Sequence, residues 1–570
     1  MQSVQNPPTV QESAPLLKFP SLVLLQGERM LVGAHIFVAM AALSIGVLLG
    51  PFQAFSRAPA LHWEIPVFSY YYQALTAHGV LNALVFTTFF IMGVSYFVVQ
   101  RSLQRPLKYM QAVWFAFWMM FVGIVLAAGA IIAGEASVLF TFYAPMLAHW
   151  TFYLGLTLVI VGTWIGLGVV FLTYFDWRKD NPGKAVPLAT FALLCNFAMW
   201  FTASLGVAIE VLTMLLPMSL GIIDTTDVQV SRILFWFFGH PLVYFWLIPA
   251  YVSWYTMLPR QLNVRLFSDP LARVAFVMLM IFSIPIGVHH LFVDPGISES
   301  AKLMHAILTF VVAMPSFLTM FNIAATIERA GRRRGATGLL DWMWKLPWGD
   351  PVIASQFCGM WLFIFGGVTG LMNASFNMNV ALHNTTWVVG HFHVTLGGAV
   401  FMTYMGILYW ILPMLTGRKL FMPKLALAQA YLWFVGMLIF GGSMGRAGIE
   451  GAVRRSDLAA IGAYTPPAAE PWLNLSAIAG VLLLLSVIAL YTVIVGTMFF
   501  SEKKVESGQE VPVDTSAPTD EFIPSWLENW RLWIAIMIFS NLIMWGPVLL
   551  SAIDLQNGFY SIGDSSGLQP

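Results

Sequence analysis

Apolar residues occur along this chain in long runs that short polar segments separate. Each run is close to the roughly 20 residues that a helix needs to cross about 30 Å of hydrocarbon. The pattern therefore predicts an all-α polytopic membrane protein. Thirteen spans are expected near residues 31–50, 75–99, 111–133, 152–174, 187–216, 232–257, 272–293, 303–328, 351–372, 385–414, 426–448, 473–500 and 530–552.

Polar segments mark the predicted divisions of the chain. Residues 1–30 form an inner N-terminal segment, and residues 31–500 carry a twelve-helix core. The polar residues 501–529 form an inner linker to the thirteenth span and an outer tail, which occupy residues 530–570. The first segment lacks a charged-then-apolar pattern with a cleavage site, so no removable signal peptide is expected.

Composition and charge agree with a membrane location. Only 10% of the 570 residues are charged, against about 25% in an average protein, and the net charge of +1 gives no indication of nucleic-acid binding. Lys and Arg are enriched in inner loops. With the N-terminus inside, 21 of the 28 Lys and Arg residues fall on the inner side, six fall outside and Arg531 lies at a boundary. The C-terminus is then outside.

Six of the eleven histidines fall at one depth, in the outer third of the predicted bilayer. They come from four spans and are His78, His240, His289, His290, His391 and His393. Ionisable groups inside a membrane are costly and usually mark a functional interior, and imidazole is a common ligand of haem iron and copper. The alignment therefore predicts metal centres. Four other histidines are expected to be structural: His35, His62, His149 and His305.

The histidine pair on span ten suggests two centres. A helix advances about 100° per residue, so His391 and His393 lie roughly 200° apart and face opposite neighbours. One of the pair, together with His78, can hold a haem from both faces as a low-spin electron carrier. The other can hold a second haem on one side only, which leaves an open position.

Three histidines remain for a copper site that faces this open position. His240, His289 and His290 offer three imidazoles, a set that suits copper, and the disturbance after Pro285 could let both adjacent imidazoles reach one ion. Tyr244 follows His240 at i+4 and shares its helix face. A phenol there could supply an electron and a proton when dioxygen is cleaved.

Four motifs carry a resemblance to a known family. They are W-F-F-G-H-P-L-V-Y-F-W, G-V-H-H-L-F-V-D-P-G, H-N-T-T-W-V-V-G-H-F-H and V-R-R. With them, essentially the whole chain resembles subunit I of the haem-copper oxidases. The resemblance implies that His78 and His393 bind the low-spin haem and that His391 binds the high-spin haem. It implies the copper ligands as well: His240, His289 and His290.

The same resemblance implies roles for neighbouring residues. Tyr244 is similar to the tyrosine that is cross-linked to His240, and Arg454 and Arg455 are similar to a pair that binds haem propionates through charge-assisted bonds. Further groups on the propionate side are implied at His383, Asn384, Asp294 and Arg232. In relatives an Asp usually occupies the position of Asn379, so His383 and Asp294 are the better candidates for proton exit.

Two departures from the large mitochondrial-like group indicate the subtype. Leu242 stands where that group has Glu, and the loop from Gln100 to Met110 has no acidic residue. The chain instead resembles the B-type, ba-type cytochrome c oxidases of bacteria and archaea. That implies a prokaryotic cell membrane, a low-spin b-type haem, a high-spin a-type haem and one copper ion. It also implies a subunit II with a dinuclear copper centre, a small single-helix subunit and cytochrome c as electron donor.

A polar stripe could replace the missing acidic route for protons. Tyr251 and Tyr255 follow Tyr244 at i+7 and i+11, close to the same helix face. Span eight carries a facing stripe made of Ser316, Thr319 and Asn322. The two stripes converge on Tyr244 and predict a single proton channel from the inner side.

The sequence therefore predicts the catalytic subunit of a terminal oxidase that reduces dioxygen to water and drives a proton gradient. A quinol oxidase or a nitric-oxide reductase of the same superfamily is the enzymatic alternative. The reductase is disfavoured because its relatives lack a tyrosine at the position of Tyr244. A proton-coupled secondary transporter, with histidines along a proton path, is the alternative from a different class.

Overall fold

The computed structural model describes residues 26–63, 71–457, 465–503 and 521–563, and these residues fold into a helical bundle. Twelve of the helices are long and apolar enough to cross a membrane. In chain order the main helices are α1 Gln26–Ser56, α2 Tyr71–Leu103, α3 Met110–Ile132, α4 Trp150–Asp180, α5 Leu188–Ser219, α6 Val228–Gln261, α7 Asp269–Phe282, α8 Glu299–Arg333, α9 Pro351–Ala374, α10 Thr386–Thr416, α11 Pro423–Ile449, α12 Glu470–Phe500 and α13 Trp530–Gly563.

The predicted all-α architecture is confirmed, and each predicted span has a helix at its position. Most of the predicted N-terminal segment, residues 504–520 of the predicted linker and residues 564–570 of the predicted tail lie outside the described residues. Side-chain caps begin six of the helices by accepting a bond from a free backbone N–H of the first turn. The capping residues are His149, Asp227, Ser268, Ser298, Asp350 and Thr385.

The seventh predicted span, residues 272–293, is helical only in its first part. α7 has 14 residues and ends at Phe282, and a separate 3-10 turn follows at Val288–His290. Pro285 explains the break, because proline lacks an N–H and its ring clashes with the preceding helical turn. The helical part is therefore shorter than the predicted span, and the chain is irregular around Pro285, where a disturbance was expected. The non-helical segment, which carries two of the histidines, is called the histidine loop below and comprises residues 283–291.

Three helices contain π-helical turns beside residues that the sequence singled out. In α2 the turn Val80–Phe86 follows His78, in α6 the turn Ser253–Met257 contains Tyr255, and in α10 the turn His393–Val400 begins at a histidine. Such turns are rare and occur frequently at functional sites. They change the direction of the side chains that follow, which a regular 100° periodicity does not anticipate.

Glycines set the position of α10, the helix that carries the histidine pair. A Cβ on Gly390 would lie 2.5 Å from Gly441 O, and a Cβ on Gly448 would overlap the backbone N of Trp387. Both positions exclude any larger residue unless a backbone moves. α10 and α11 therefore pack with their backbones in contact, as small residues allow in membrane proteins.

One carboxylate ties α13 to the core at its predicted inner end. Glu528 Oε1 accepts from Arg273 Nη1 at 2.9 Å and from Val186 N at 2.8 Å, and its other oxygen pairs with Arg178. Arg273 is only 1% exposed and also pairs with Asp269 at 2.5 Å. Buried charges need partners, so Glu528 anchors the start of α13.

We expect Glu528→Ala to lower the thermal unfolding temperature of the protein in detergent. The substitution leaves the buried Arg273 guanidinium with one carboxylate instead of two, and breaking a buried ion pair costs about 3–5 kcal/mol. Glu502→Ala is the matched control, because its partner Lys419 is 60% exposed and exposed pairs contribute about 0–1 kcal/mol. Equal shifts of the two variants would contradict the anchoring role.

Candidate metal and cofactor site

Three imidazoles come together where α6 meets the histidine loop. The ligand atoms of His240, His289 and His290 all lie within 4.8 Å of one another, so this group could hold a metal ion. His240 Nδ1 and His290 Nε2 are 3.1 Å apart. A metal–imidazole bond is about 2.0–2.1 Å long, so one ion between these nitrogens fits the separation.

Neighbouring elements fix the orientation of the imidazoles in the histidine loop. His289 Nδ1 lies 3.1 Å from Thr309 Oγ1 of α8, and its backbone carbonyl accepts from Asn379 Nδ2 at 3.0 Å. Asn379 belongs to the short helix Phe376–Leu382. The His290 ring stacks on Trp236 with centroids 3.7 Å apart and planes 7° from parallel. Partners of this kind orient metal-ligating histidines.

Tyr244 contacts the cluster through the second nitrogen of His240. Its hydroxyl lies 3.2 Å from His240 Nε2, while His240 Nδ1 faces His290. The two residues share one helix face at i+4, as the sequence predicted. His240 therefore joins a phenol to the possible metal position through one aromatic ring.

His78 and His393 face each other with nearly parallel rings. Their planes are 14° apart and their centroids 6.2 Å apart, which is too far for ring stacking. Two metal–nitrogen bonds would account for about 4 Å of this distance, and the rest corresponds to the two ring radii. His78 Nδ1 bonds Gly46 O at 2.8 Å, and His393 Nδ1 bonds Val389 O at 2.9 Å. Both Nε2 atoms thus remain available as ligands of one iron.

His391 points to the other side of α10. Its Nδ1 lies 2.9 Å from Thr369 Oγ1 and 3.1 Å from Gly366 O, which again leaves Nε2 as the available atom. A Cβ on Gly370 would lie 3.1 Å from His391 Cε1, so a larger residue at this position of α9 would require the ring to shift by a few tenths of an ångström. The arrangement fits an axial ligand of a second, separate group.

All six histidines line one cavity of about 970 Å³ whose wall is mainly apolar. The volume lies at the upper end of the range for cofactor sites, about 300–1,000 Å³. Some lining residues have buried polar atoms without a hydrogen-bond partner: both amide atoms of Gln53, Nε of Arg57, Nε1 of Trp246 and Nε of Arg454. Buried polar atoms are rarely unpartnered. The wall therefore fits large apolar cofactors that carry polar substituents.

A positively charged cluster covers the cavity at its predicted outer end. Arg454 donates from its backbone N to Asn384 O at 2.8 Å and from Nη2 to Asn384 Oδ1 at 3.2 Å. Arg232 pairs with Asp294 at 2.7 Å and lies over the Tyr143 ring. Arg455 lies over the same ring. The predicted propionate-side residues are thus together, with three guanidinium groups and one carboxylate among them.

The pKa values of this cluster reflect its excess positive charge. Burial and the nearby Arg455 guanidinium lower the pKa of Arg454 to about 9. Burial, followed by the Arg454 and Arg232 charges, lowers the pKa of His383 to about 4. Burial also raises the pKa of Asp294, while Arg232 opposes that shift. Carboxylates placed here would be stabilised, which fits the propionates of a haem.

The predicted proton-path residues lie between α6 and α8. Tyr251 donates to Ser316 Oγ at 3.0 Å, and Tyr255 donates to Thr319 Oγ1 at 2.9 Å. Asn322 differs, because its amide accepts from the backbone N of Ser268 at 3.1 Å and donates to the carbonyl of the same residue at 2.7 Å. Its polar atoms are therefore occupied by one backbone segment. Tyr244, Tyr251, Ser316 and Thr319 all line the cavity.

Sequence reasoning missed several residues of this site. Thr309 and Thr369 each contact a histidine, yet each is a single side chain in an apolar run and gives no signal in the sequence. Trp236 is the first residue of the motif W-F-F-G-H-P-L-V-Y-F-W, but the motif alone does not indicate that its ring stacks on His290. Gln53 and Arg57 gave a detectable signal, because they stand at i and i+4 just past the predicted end of span one. The helix α1 continues to Ser56, which turns the Gln53 side chain toward the cavity instead of into a loop.

Comparisons with known proteins agree with this geometry. The family model for Cytochrome C and Quinol oxidase polypeptide I matches residues 30–482. Cytochrome c oxidase subunit 1 of Thermus thermophilus is 40% identical over 521 residues, which cover 89% of this chain and 92% of that protein. Ubiquinol oxidase subunit 1 of Acetobacter aceti is 27% identical and covers 73% of this chain and 62% of that protein. A cryo-EM structure of a haem-copper terminal oxidase dimer matches with a TM-score of 0.89 and 35% identity, over 93% of both chains.

The chain belongs to the cytochrome c and quinol oxidase polypeptide I family. It is the catalytic subunit I of a respiratory terminal oxidase of the haem-copper type, embedded in a membrane by multiple helices. The predictions of fold, family and enzymatic class are confirmed, and the transporter alternative is excluded. Membership implies haem groups and a copper ion as cofactors, and the residues described above fit both.

Proposed function

We propose that this chain is subunit I of a B-type cytochrome c oxidase, which reduces dioxygen to water and couples the reaction to proton translocation. One observation carries the proposal: the imidazole cluster of His240, His289 and His290 has the Tyr244 hydroxyl at 3.2 Å from His240 Nε2. The same cavity contains three further histidines whose Nδ1 atoms are already bonded. A transporter or a structural helix bundle does not need this combination.

Each histidine has a distinct proposed role. His78 and His393 hold a low-spin b-type haem, His391 holds a high-spin a-type haem from one side, and the cluster of three imidazoles holds the copper ion. The haems and the copper, when bound, supply electrons and open coordination positions for dioxygen. The protein fixes the tautomer of each haem ligand, because each Nδ1–H is directed at a backbone carbonyl or a hydroxyl and Nε2 remains for the iron.

Tyr244 is proposed as the residue that gives a proton and an electron when the O–O bond is cleaved. Its hydroxyl is already in contact with His240 Nε2, so a bond between that nitrogen and the phenol ring needs little movement. Forming the bond removes one hydrogen from each residue, a two-electron oxidation for which dioxygen is the oxidant. A phenol linked in this way is held beside the copper position throughout turnover.

Protons for the reaction are proposed to enter between α6 and α8. The pairs Tyr255 with Thr319 and Tyr251 with Ser316 lead from the predicted inner side toward Tyr244. Asn322 would mark the inner start of this path and would also hold the loop at Ser268 in place, because its amide accepts from the backbone N and donates to the carbonyl of that residue. Leu242 is buried and apolar, which supports the absence of the acidic route of the larger family.

The arginine cluster is proposed to bind the haem propionates and to form the start of the proton exit. Arg454 and Arg455 face the cavity and offer charge-assisted donors. Arg232, Asn384, His383 and Asp294 stand around them. His383 and Asp294 are the candidate exit groups. Asn379 cannot carry a proton, and its contacts with His289 O and His383 Nδ1 suit a bridge between the copper site and this cluster.

Electrons are proposed to come from cytochrome c through a subunit II with a dinuclear copper centre, alongside a small single-helix subunit. The Thermus thermophilus relative, a cytochrome c oxidase subunit, supports this donor, and the more distant Acetobacter aceti relative leaves a quinol as the alternative. Turnover with reduced cytochrome c and none with a quinol would separate the two. The proposed location is a prokaryotic cell membrane, with the N-terminus inside and the C-terminus outside.

The ligand assignment predicts separate losses of the two haems. We expect His78→Ala to remove the low-spin haem signal and His391→Ala to remove the high-spin one, because each haem loses an axial bond. The measurement is a reduced-minus-oxidised visible spectrum of the purified protein, with pyridine haemochrome analysis for the haem types. His62→Ala is the control, since that ring is exposed and, among the described residues, bonds Ser56 O at the end of α1 and not a residue of the cavity centre. A variant that keeps both haems and full turnover would overturn its assignment.

The contact of Tyr244 with His240 predicts a covalent link. Digestion of active enzyme should give a peptide that contains both His240 and Tyr244 and is two hydrogens lighter than its sequence predicts, as read by mass spectrometry. Tyr244→Phe should abolish oxygen reduction and leave both haem spectra in place, because the missing hydroxyl is not an iron ligand. Finding the two residues unlinked in active enzyme would refute the link.

The single proton channel predicts coupled losses of rate and proton uptake. Tyr255→Phe and Thr319→Val should keep the haem spectra but slow oxygen reduction and proton uptake together, since a positioned proton relay contributes about 10²–10⁴-fold. Tyr409→Phe is the control: its buried hydroxyl donates to Gln429 Oε1, on the side of α10 that faces α11. If both channel variants turned over like the parent, protons would enter elsewhere.

A further inference from the structure

α13 contacts the loop that carries two of the three clustered imidazoles. Trp545 Nε1 donates to Ile284 O at 2.7 Å, and the indole is only 2% exposed. It packs so closely against the loop that a Cβ on Gly287 would lie 2.8 Å from Trp545 Cζ2. Ile284 lies just past the end of α7, where carbonyls have no partner within the helix. Trp545 supplies that partner from a different helix.

A second contact from α13 reaches His289 through α8. His305 Nε2 donates to Met544 O at 3.2 Å, and Thr309 Oγ1 donates to His305 O at 2.6 Å. Since the Thr309 proton is used there, its oxygen accepts from His289 Nδ1 at 3.1 Å. That bond fixes the proton of His289 on Nδ1 and leaves Nε2 free to face the other two imidazoles.

These contacts do more than attach α13 to the bundle. The helix is already anchored by Glu528 at its other end, and Trp533 Nε1 donates there to Trp526 O and Leu527 O. Trp545 in contrast directs its N–H at the histidine loop, and its ring meets His305 edge to face at 4.9 Å. Two adjacent residues of α13 thus act on the histidine loop. Trp545 bonds the loop backbone at Ile284. Met544 acts on the His289 side chain through His305 and Thr309.

We propose that Trp545 is a positioning residue for the copper site and that α13 sets the geometry of His289 and His290. The proposal rests on the proposed copper role of the three histidines. Groups that orient metal ligands typically change metal affinity by about 10–100-fold when they are removed. Trp545→Phe keeps an aromatic ring and removes the N–H, so we expect the affinity for copper to fall within that range.

The experiment uses the purified full complex. The parent is compared with Trp545→Phe and with His305→Leu, which breaks the second contact, and Trp533→Phe is the matched control. Each sample is equilibrated with a series of copper–chelator buffers, and bound copper is measured by elemental analysis. His290→Ala gives the baseline for copper held elsewhere in the complex. The infrared stretch of carbon monoxide bound to Cu(I) reports the geometry of the site, and visible spectra report both haems.

The proposal is supported if Trp545→Phe and His305→Leu bind copper more weakly and shift the stretch of Cu(I)-bound carbon monoxide. Both variants should also retain both haems, and Trp533→Phe should behave like the parent. Unchanged copper binding and an unchanged stretch would overturn the proposal. So would a parallel loss of haem, copper and thermal stability, because α13 would then be only a general scaffold. A parent complex with no more copper than His290→Ala would instead refute the copper site itself.

Discussion

The constraint on which this structure depends is the burial of six imidazoles in one apolar cavity. A buried ring needs a partner for its N–H, and in the haem-side histidines that partner is a backbone carbonyl: Gly46 O, Gly366 O or Val389 O. Each of these bonds decides which nitrogen remains free. The relative positions of α1, α2, α9 and α10 are then fixed by the same contacts that fix the chemistry of the site.

The end of α7 illustrates how a local break is compensated by distant elements. Because the helix ends at Phe282, His289 and His290 stand in a separate turn, Val288–His290, and there both imidazoles come close to His240. The freed backbone needs partners, and they come from Asn379 and Trp545, which are far away in the chain. The geometry of the cluster is therefore a property of the whole bundle and not of the motif that contains it.

Much of the site could be predicted because depth and spacing are local properties of a sequence. The six histidines at one level and the i+4 relation of Tyr244 to His240 needed only helix geometry. The π turns at His393 and Tyr255 and the bonds to Thr309 and Thr369 could not be derived in this way. They depend on side chains from helices whose order in space the hydrophobic pattern does not specify. Asn322 shows the limit, since its spacing suggested a relay and its contacts are with the backbone of Ser268.

The arginine cluster has a consequence for how the subunit is made. Arg232, Arg454 and Arg455 repel one another in a cavity of low polarity, and Asp294 balances only part of their charge. A ligand that binds only the folded state stabilises it by mass action, so haem carboxylates would complete the folding of this end of the bundle. A subunit without haem would then be less stable at this end of the bundle than the haem-loaded subunit, so haem insertion would be part of its folding and not a step that follows it.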